Sequence, residues 1–132
     1  MNIKTSQDLV DLAKKEITSI SAKDAKNLNE IGEITLIDIR DIRELWNEGT
    51  IKNSIHIPRG MLEFWLDPES SYYKEKKIGE IKKIGLFCAL GMRSALATKS
   101  LKEMGFKNIV NVEGGFDSLK NTGLEVVQKE KK

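Results

Sequence analysis

The sequence predicts an α/β domain: a central parallel sheet of about five strands with helices on both faces. Three observations carry that expectation. Short apolar runs of strand length alternate with amphipathic segments of helical period along the chain, the pattern of strands joined by crossover helices. Two of the runs, residues 34–38 and 84–88, are apolar at successive rather than alternate positions, as strands covered on both faces are. At 132 residues, with 39% apolar content and no internal repeat or low-complexity linker, the chain has material for one core and no second one. We read residues 1–128 as a single domain and Lys129-Glu130-Lys131-Lys132 as a solvated tail.

Each element follows from its local pattern. Thr5-Ser6-Gln7-Asp8 caps a helix whose apolar stripe is Leu9, Leu12, Ala13, Ile17 and Ile20. Ile20-Ser21 marks a short strand edge, and residues 22–29 make a small helix. Ile34-Thr35-Leu36-Ile37-Asp38 is a central parallel strand. Residues 41–48 are charged, with Ile42, Leu45 and Trp46 on one side: a short amphipathic helix stopped by Gly49. Ile55-His56-Ile57 is another strand, ended by Pro58. Residues 84–88 form a strand, and residues 94–104 a helix with Ala97, Leu101 and Met104 toward the core and Gly105 at its end. Residues 108–112 are a further strand, and Gly114-Gly115 leads into a last short helix at 116–120.

Residues 59–79 stand out as an insertion. Gly60-Met61-Leu62-Glu63-Phe64-Trp65-Leu66 makes a short helix with an apolar face, followed by the turn-rich Asp67-Pro68-Glu69-Ser70-Ser71 and then Tyr72-Tyr73. One reading is a satellite cluster packed over the sheet edge. The sharper one is a flap that brings Arg59, Phe64 or Trp65 to a substrate or partner.

Charge and cysteine usage exclude several classes. With 22 basic and 20 acidic residues the net charge is +2, too even for nucleic acid binding. No stretch approaches a membrane span and Met1-Asn2-Ile3-Lys4 does not open a signal peptide, so the expected location is the cytoplasm, with no membrane partner. A single cysteine, Cys88, excludes an internal disulfide and a Cys-rich metal site, and it leaves no resolving thiol. No motif calls for a metal or organic cofactor.

Cys88 closes the apolar run Ile84-Gly85-Leu86-Phe87 and opens Ala89-Leu90-Gly91-Met92-Arg93-Ser94 before a helical pattern. A strand delivers the sulfur to a loop whose N–H groups turn toward it at a helix N-terminus, which favours the reactive thiolate. Arg93 follows at the spacing C-x4-R, where a guanidinium can hold an anion by paired hydrogen bonds.

The loop from Cys88 to Arg93, with Gly91 inside it, resembles the active-site loop of rhodaneses, single-domain sulfurtransferases that carry sulfane sulfur as a cysteine persulfide. Leu36-Ile37-Asp38-Ile39-Arg40-Asp41-Ile42-Arg43-Glu44 resembles the family's first box, and Gly49 through Pro58 its segment leading to Ile-Pro. Gly105-Phe106 and Val112-Glu113-Gly114-Gly115-Phe116 resemble its Gly-Phe and Gly-Gly boxes. These run in family order over roughly residues 18 to 124, so the resemblance covers most of the chain. It departs at Thr50, at Asn53-Ser54 and at Leu119. It departs also at Ala89 and Leu90, where many thiosulfate-using members are polar, and this leaves donor and acceptor open.

The resemblance implies a rhodanese-like fold, Cys88 as nucleophile, and Arg93 with Ala89, Leu90, Gly91, Met92 and Ser94 around the substrate. Asp38, Arg40 and Glu44 are expected to build the charged network behind the loop, because buried charges need partners. His56, the only histidine, is expected to be a strand residue rather than a base. The expected reaction moves sulfur from an anionic donor such as thiosulfate to a thiol or cyanide through a Cys88 persulfide, with ping-pong kinetics. The rivals are a sulfur-relay or protein-binding module with a protein acceptor, and a cysteine-dependent phosphatase or arsenate reductase. Phosphatase loops of this design are one residue longer, C-x5-R.

Overall fold

In the computed structural model, which describes residues 2–73 and 82–131, five parallel strands form the main sheet. They are β1 (Ser19–Ile20), β2 (Thr35–Asp38), β4 (Ile55–His56), β5 (Ile84–Phe87) and β6 (Ile109–Val112), in the order β1-β6-β5-β2-β4. A separate antiparallel ribbon pairs β3 (Thr50–Ile51) with β7 (Val126–Val127). The helices are α1 (Ser6–Glu16), α2 (Ala22–Glu30), α3 (Ile42–Glu48), α4 (Leu62–Leu66), α5 (Met92–Met104) and α6 (Gly115–Lys120).

Strand alternation sorts the core into two layers. Ile37, Leu86 and Ile109 point to one face, where Leu62 and Leu66 of α4 and Ala97 and Leu101 of α5 cover them. Their neighbours Leu36, Phe87 and Val110 point to the other, against Ala22 and Ala25 of α2 and Phe116 and Leu119 of α6. Successive side chains of a strand leave on opposite sides, so a strand buried on both faces is apolar at successive positions, as Leu36-Ile37 of β2 and Leu86-Phe87 of β5 are, and the buried Asp38 that ends β2 needs a partner.

The helix starts obey local capping chemistry. Thr5 and Asp8 form a reciprocal capping box for α1, Ser21 caps α2, and Asp41 with Glu44 forms a second box for α3. Gly49 ends α3 with φ 78°.

Three expectations change in detail. In α1 the buried residues are Val10 and Ala13, while Leu9 and Leu12 are largely exposed. The helix lies against α5, and the small Ala13 permits a close approach that turns both leucines outward. Helix α5 starts at Met92, two residues before the expected Ser94, and Met104 in its last turn is 45% exposed. The β3–β7 ribbon was not anticipated, because two-residue strands carry no period to read. Of the insertion, the structure describes residues 59–73: a 3-10 turn at Arg59–Met61, then α4, with Leu62 and Leu66 buried. Residues 74–79 of that expectation lie outside the described residues.

Candidate active site

Strand β5 ends at Phe87, and the next residue, Cys88, is only 2% exposed. The loop then reverses at Gly91, whose φ of 96° is open to glycine at little cost. That turn brings the Gly91 N–H to 3.2 Å from Cys88 Sγ, and the first turn of α5 brings the Ser94 N–H to 3.4 Å. The outer side of the loop is fixed by α6: Phe116 N–H donates to the Cys88 carbonyl at 2.7 Å and Asp117 N–H to the Ala89 carbonyl at 3.2 Å. Carbonyls held outward leave N–H groups facing the sulfur, the arrangement of an anion-binding nest.

Burial pushes the Cys88 thiol up, but its contact with the Ser94 side chain and hydrogen bonds from the N–H groups of Ser94, Gly91 and Leu90 outweigh it. The net effect holds the thiol below its ordinary value, the condition for a reactive thiolate. Ser94 is itself fully buried; its Oγ lies 3.5 Å from Sγ and donates to Asn111 Oδ1 at 2.6 Å.

Arg93 stands beside the sulfur with its fork closed on Glu44: Nη1 donates to Oε1 at 2.7 Å and Nη2 to Oε2 at 3.0 Å. Glu44 therefore does two jobs, capping α3 and holding the guanidinium. The pair lowers the Glu44 carboxyl and raises the Arg93 guanidinium, which Cys88 raises further. Each terminal nitrogen keeps a second N–H for a bound anion.

Asp38 and Arg40 pair with each other in full burial, at 2.8 Å from Nη2 to Oδ2 and 3.0 Å from Nε to Oδ1. Thr50 Oγ1 donates to Asp38 Oδ2 at 2.7 Å, and Arg40 Nη2 donates to the Gly49 carbonyl at 2.8 Å. The guanidinium lies 4.1 Å from the centre of the Phe116 ring. Since Phe116 N–H grips the Cys88 carbonyl, the buried pair braces the loop through one intermediate residue. His56 Nε2 lies 2.7 Å from the Arg40 carbonyl. A carbonyl only accepts, so Nε2 carries the proton.

Around the sulfur the loop is apolar: Ala89 is half-buried, Leu90 is 63% exposed and Met92 is 41% exposed. Of the insertion residues, Arg59 is half-buried, with its N–H on the Ile39 carbonyl, and Trp65 packs on the core. Phe64 faces outward, edge-on to Tyr72 with ring centres 6.2 Å apart. Among the described residues no group of three metal-ligating side chains stands together, and no helix is long and apolar enough to cross a membrane. Sequence reasoning missed two residues, Thr50 and Asn111. The signal for Asn111 was present, since a lone amide in the buried strand Ile109-Val110-Asn111-Val112 requires a partner.

A model of the rhodanese-like domain matches residues 21–122. Among solved structures, a protein of unknown function from Rhodopseudomonas palustris, named as a possible tyrosine phosphatase, is 37% identical. It superposes with a TM-score of 0.87 over 96% of this chain and 97% of that one. The polysulfide-sulfur transferase homodimer of Wolinella succinogenes is 39% identical, with a TM-score of 0.69 over 91% and 85% of the two chains. A curated relative, the tRNA uridine(34) hydroxylase of Prochlorococcus marinus, is 39% identical over 71 residues, 52% of this chain and 22% of that protein. The chain thus spans about a fifth of the length of the curated relatives it matches.

Proposed function

The chain belongs to the rhodanese-like domain family, and from that premise we propose that it is a sulfurtransferase carrying sulfane sulfur on Cys88. The observation that carries this reading is the short loop whose Gly91 and Ser94 N–H groups converge on a single sulfur. A ring of six residues suits a thiolate and one further sulfur atom. The tetrahedral phosphoryl group of a phosphatase reaction needs a wider cradle.

In the first half-reaction the Cys88 thiolate attacks the outer sulfur of thiosulfate. A new S–S bond forms, the donor's S–S bond breaks, and its electron pair leaves with sulfite. The persulfide anion left on Cys88 is held by the loop N–H groups, which also offset charge in the transition state. Arg93, kept beside the sulfur by Glu44, receives the donor's sulfonate edge. In the second half, cyanide or a thiolate attacks the outer sulfur, which departs as thiocyanate or a new persulfide, and the Cys88 thiolate returns. Donor and acceptor use one thiol in turn, which gives ping-pong kinetics.

The exposed Leu90 and Met92 favour a second reading of the same chemistry, in which the physiological acceptor is a protein. We place this work in the cytoplasm.

The test is intact mass after incubation with thiosulfate, beside Cys88→Ser, followed by cyanide. The expected result is one added sulfur atom on the wild type alone, released as thiocyanate. No gain from thiosulfate or from polysulfide, together with Cys88-dependent hydrolysis of p-nitrophenyl phosphate, would replace this reading by the phosphatase one.

A further inference from the structure

Behind Cys88 a line of hydrogen-bonding groups runs across the sheet. Ser94 Oγ is 3.5 Å from Sγ, Asn111 Oδ1 is 2.6 Å from Ser94 Oγ, and Asn111 Nδ2 is 3.4 Å from Ser19 Oγ on the edge strand β1. Ser94 and Asn111 are both fully buried, and Ser19 is half-buried. Water therefore cannot substitute for a missing partner at the first two.

A serine hydroxyl has one proton. The 2.6 Å separation from Asn111 Oδ1 is the length of an O–H···O bond, which gives that proton to the amide oxygen. Ser94 then presents only lone pairs to the sulfur and can accept from a thiol but cannot donate to a thiolate. An amide has a second arrangement. Rotated by half a turn, Asn111 donates from Nδ2 to Ser94 Oγ, the Ser94 proton swings to the sulfur, and Oδ1 accepts from the Ser19 hydroxyl. The groups are paired in both arrangements, so an asparagine permits what an acceptor-only or apolar residue does not.

We propose that Asn111 is a positioning residue that sets the direction of the Ser94 hydroxyl, one amide orientation matching the Cys88 thiol and the other the thiolate. The thiol proton leaves to solvent through the mouth of the loop, and no proton passes along the line; only the direction of its hydrogen bonds reverses. The inference rests on Cys88 being the reactive thiol of the proposed function. Among the described residues, the charged groups on the elements packed about it include Asp117 of α6, which is exposed and paired with Lys120. Arg93 of α5 is paired with Glu44 of α3, and Asp38 and Arg40 at the end of β2 are paired with each other. No carboxylate of β6 intervenes, since the β6 residue joined to Ser94 is the uncharged Asn111.

The experiment is the rate of iodoacetamide alkylation as a function of pH, without any sulfur donor; the single cysteine makes the product unambiguous. Asn111→Leu removes the competing acceptor and frees the Ser94 proton for sulfur, so the midpoint should fall. Asn111→Asp, as the carboxylate, only accepts and holds the hydroxyl away while adding a like charge behind the sulfur, so the midpoint should rise, and part of that rise should be lost in the Ser94→Ala background; the leucine change is about one pH unit, the worth of one hydrogen bond. In a Ser94→Ala background the shift from Asn111→Leu should vanish. Shifts of the same sign in both variants, or a Leu shift that survives in Ser94→Ala, would overturn the proposal. Should the aspartate variant fail to fold, the leucine variant and its Ser94→Ala control decide alone. Because alkylation needs no sulfur donor, failure of sulfur uptake by the wild type would sink the transfer reading and not this one.

Discussion

Two arginines of this site each face a carboxylate, and burial makes the pairs unequal. Arg40 and Asp38 are sealed from water, so removing one partner strands a charge in the interior. Asp38→Ala should therefore cost about 3–5 kcal/mol and lower the melting temperature by roughly 10–20 °C, read by calorimetry. An unchanged melting temperature would contradict the bracing role. The side chains of Arg93 and Glu44 are 41% and 28% exposed, and a pair so wetted contributes little to stability. Arg93→Ala should leave stability within about 1 kcal/mol of the wild type. In steady-state assays it should raise the KM for thiosulfate about tenfold, with a smaller effect on kcat, as loss of a charge-assisted contact predicts. Untouched thiosulfate kinetics would remove Arg93 from the anion site. The motif placed Cys88 and Arg93, but it could not reveal that Glu44 closes the fork. Those residues stand 49 positions apart, and only the fold sets them together. Thr50 was legible only as a departure from the family pattern, because its use depends on Asp38 across the sheet edge.

At the scale of elements, the loop owes its form to what lies on either side of it. Gly115, with φ 55°, sits so close that an added Cβ would run into the carbonyls of Cys88 and Ala89. Gly115→Ala should destabilise by about 1–3 kcal/mol through combined strain and displacement. It should also cut sulfur transfer at least tenfold, since a displaced loop no longer aims its N–H groups within a fraction of an ångström. A variant with wild-type turnover would show that α6 does not shape the loop. Sequence signals were good for elements with a cap or a sustained period. The Thr5–Asp8 box, the Asp41–Glu44 helix and the stop at Gly105 all stand where the residues place them. The failures occurred where packing chose between nearly equivalent faces. In α1 the face of Val10 and Ala13 is buried rather than that of Leu9, with the small Ala13 letting the helix lie close to α5.

For the whole molecule, the doubly covered parallel sheet was readable because β2 and β5 are apolar at successive positions and the intervening segments have helical period. Such a sheet collects its reactive groups beyond the carboxyl ends of its strands, where Cys88 and Asp38 both lie. What escaped the sequence was the closure by the β3–β7 ribbon. Thr50 pairs with Val127 and Ile51 with Val126, residues more than half the chain apart. Gly49, which accepts from Arg40, and Thr50, which donates to Asp38, sit at this closure. Contacts so distant along the chain form late, because the loop between them must be ordered first. During synthesis, then, the Gly49–Thr50 segment that binds the interior ion pair gains its strand partner only once Val126 and Val127 have emerged.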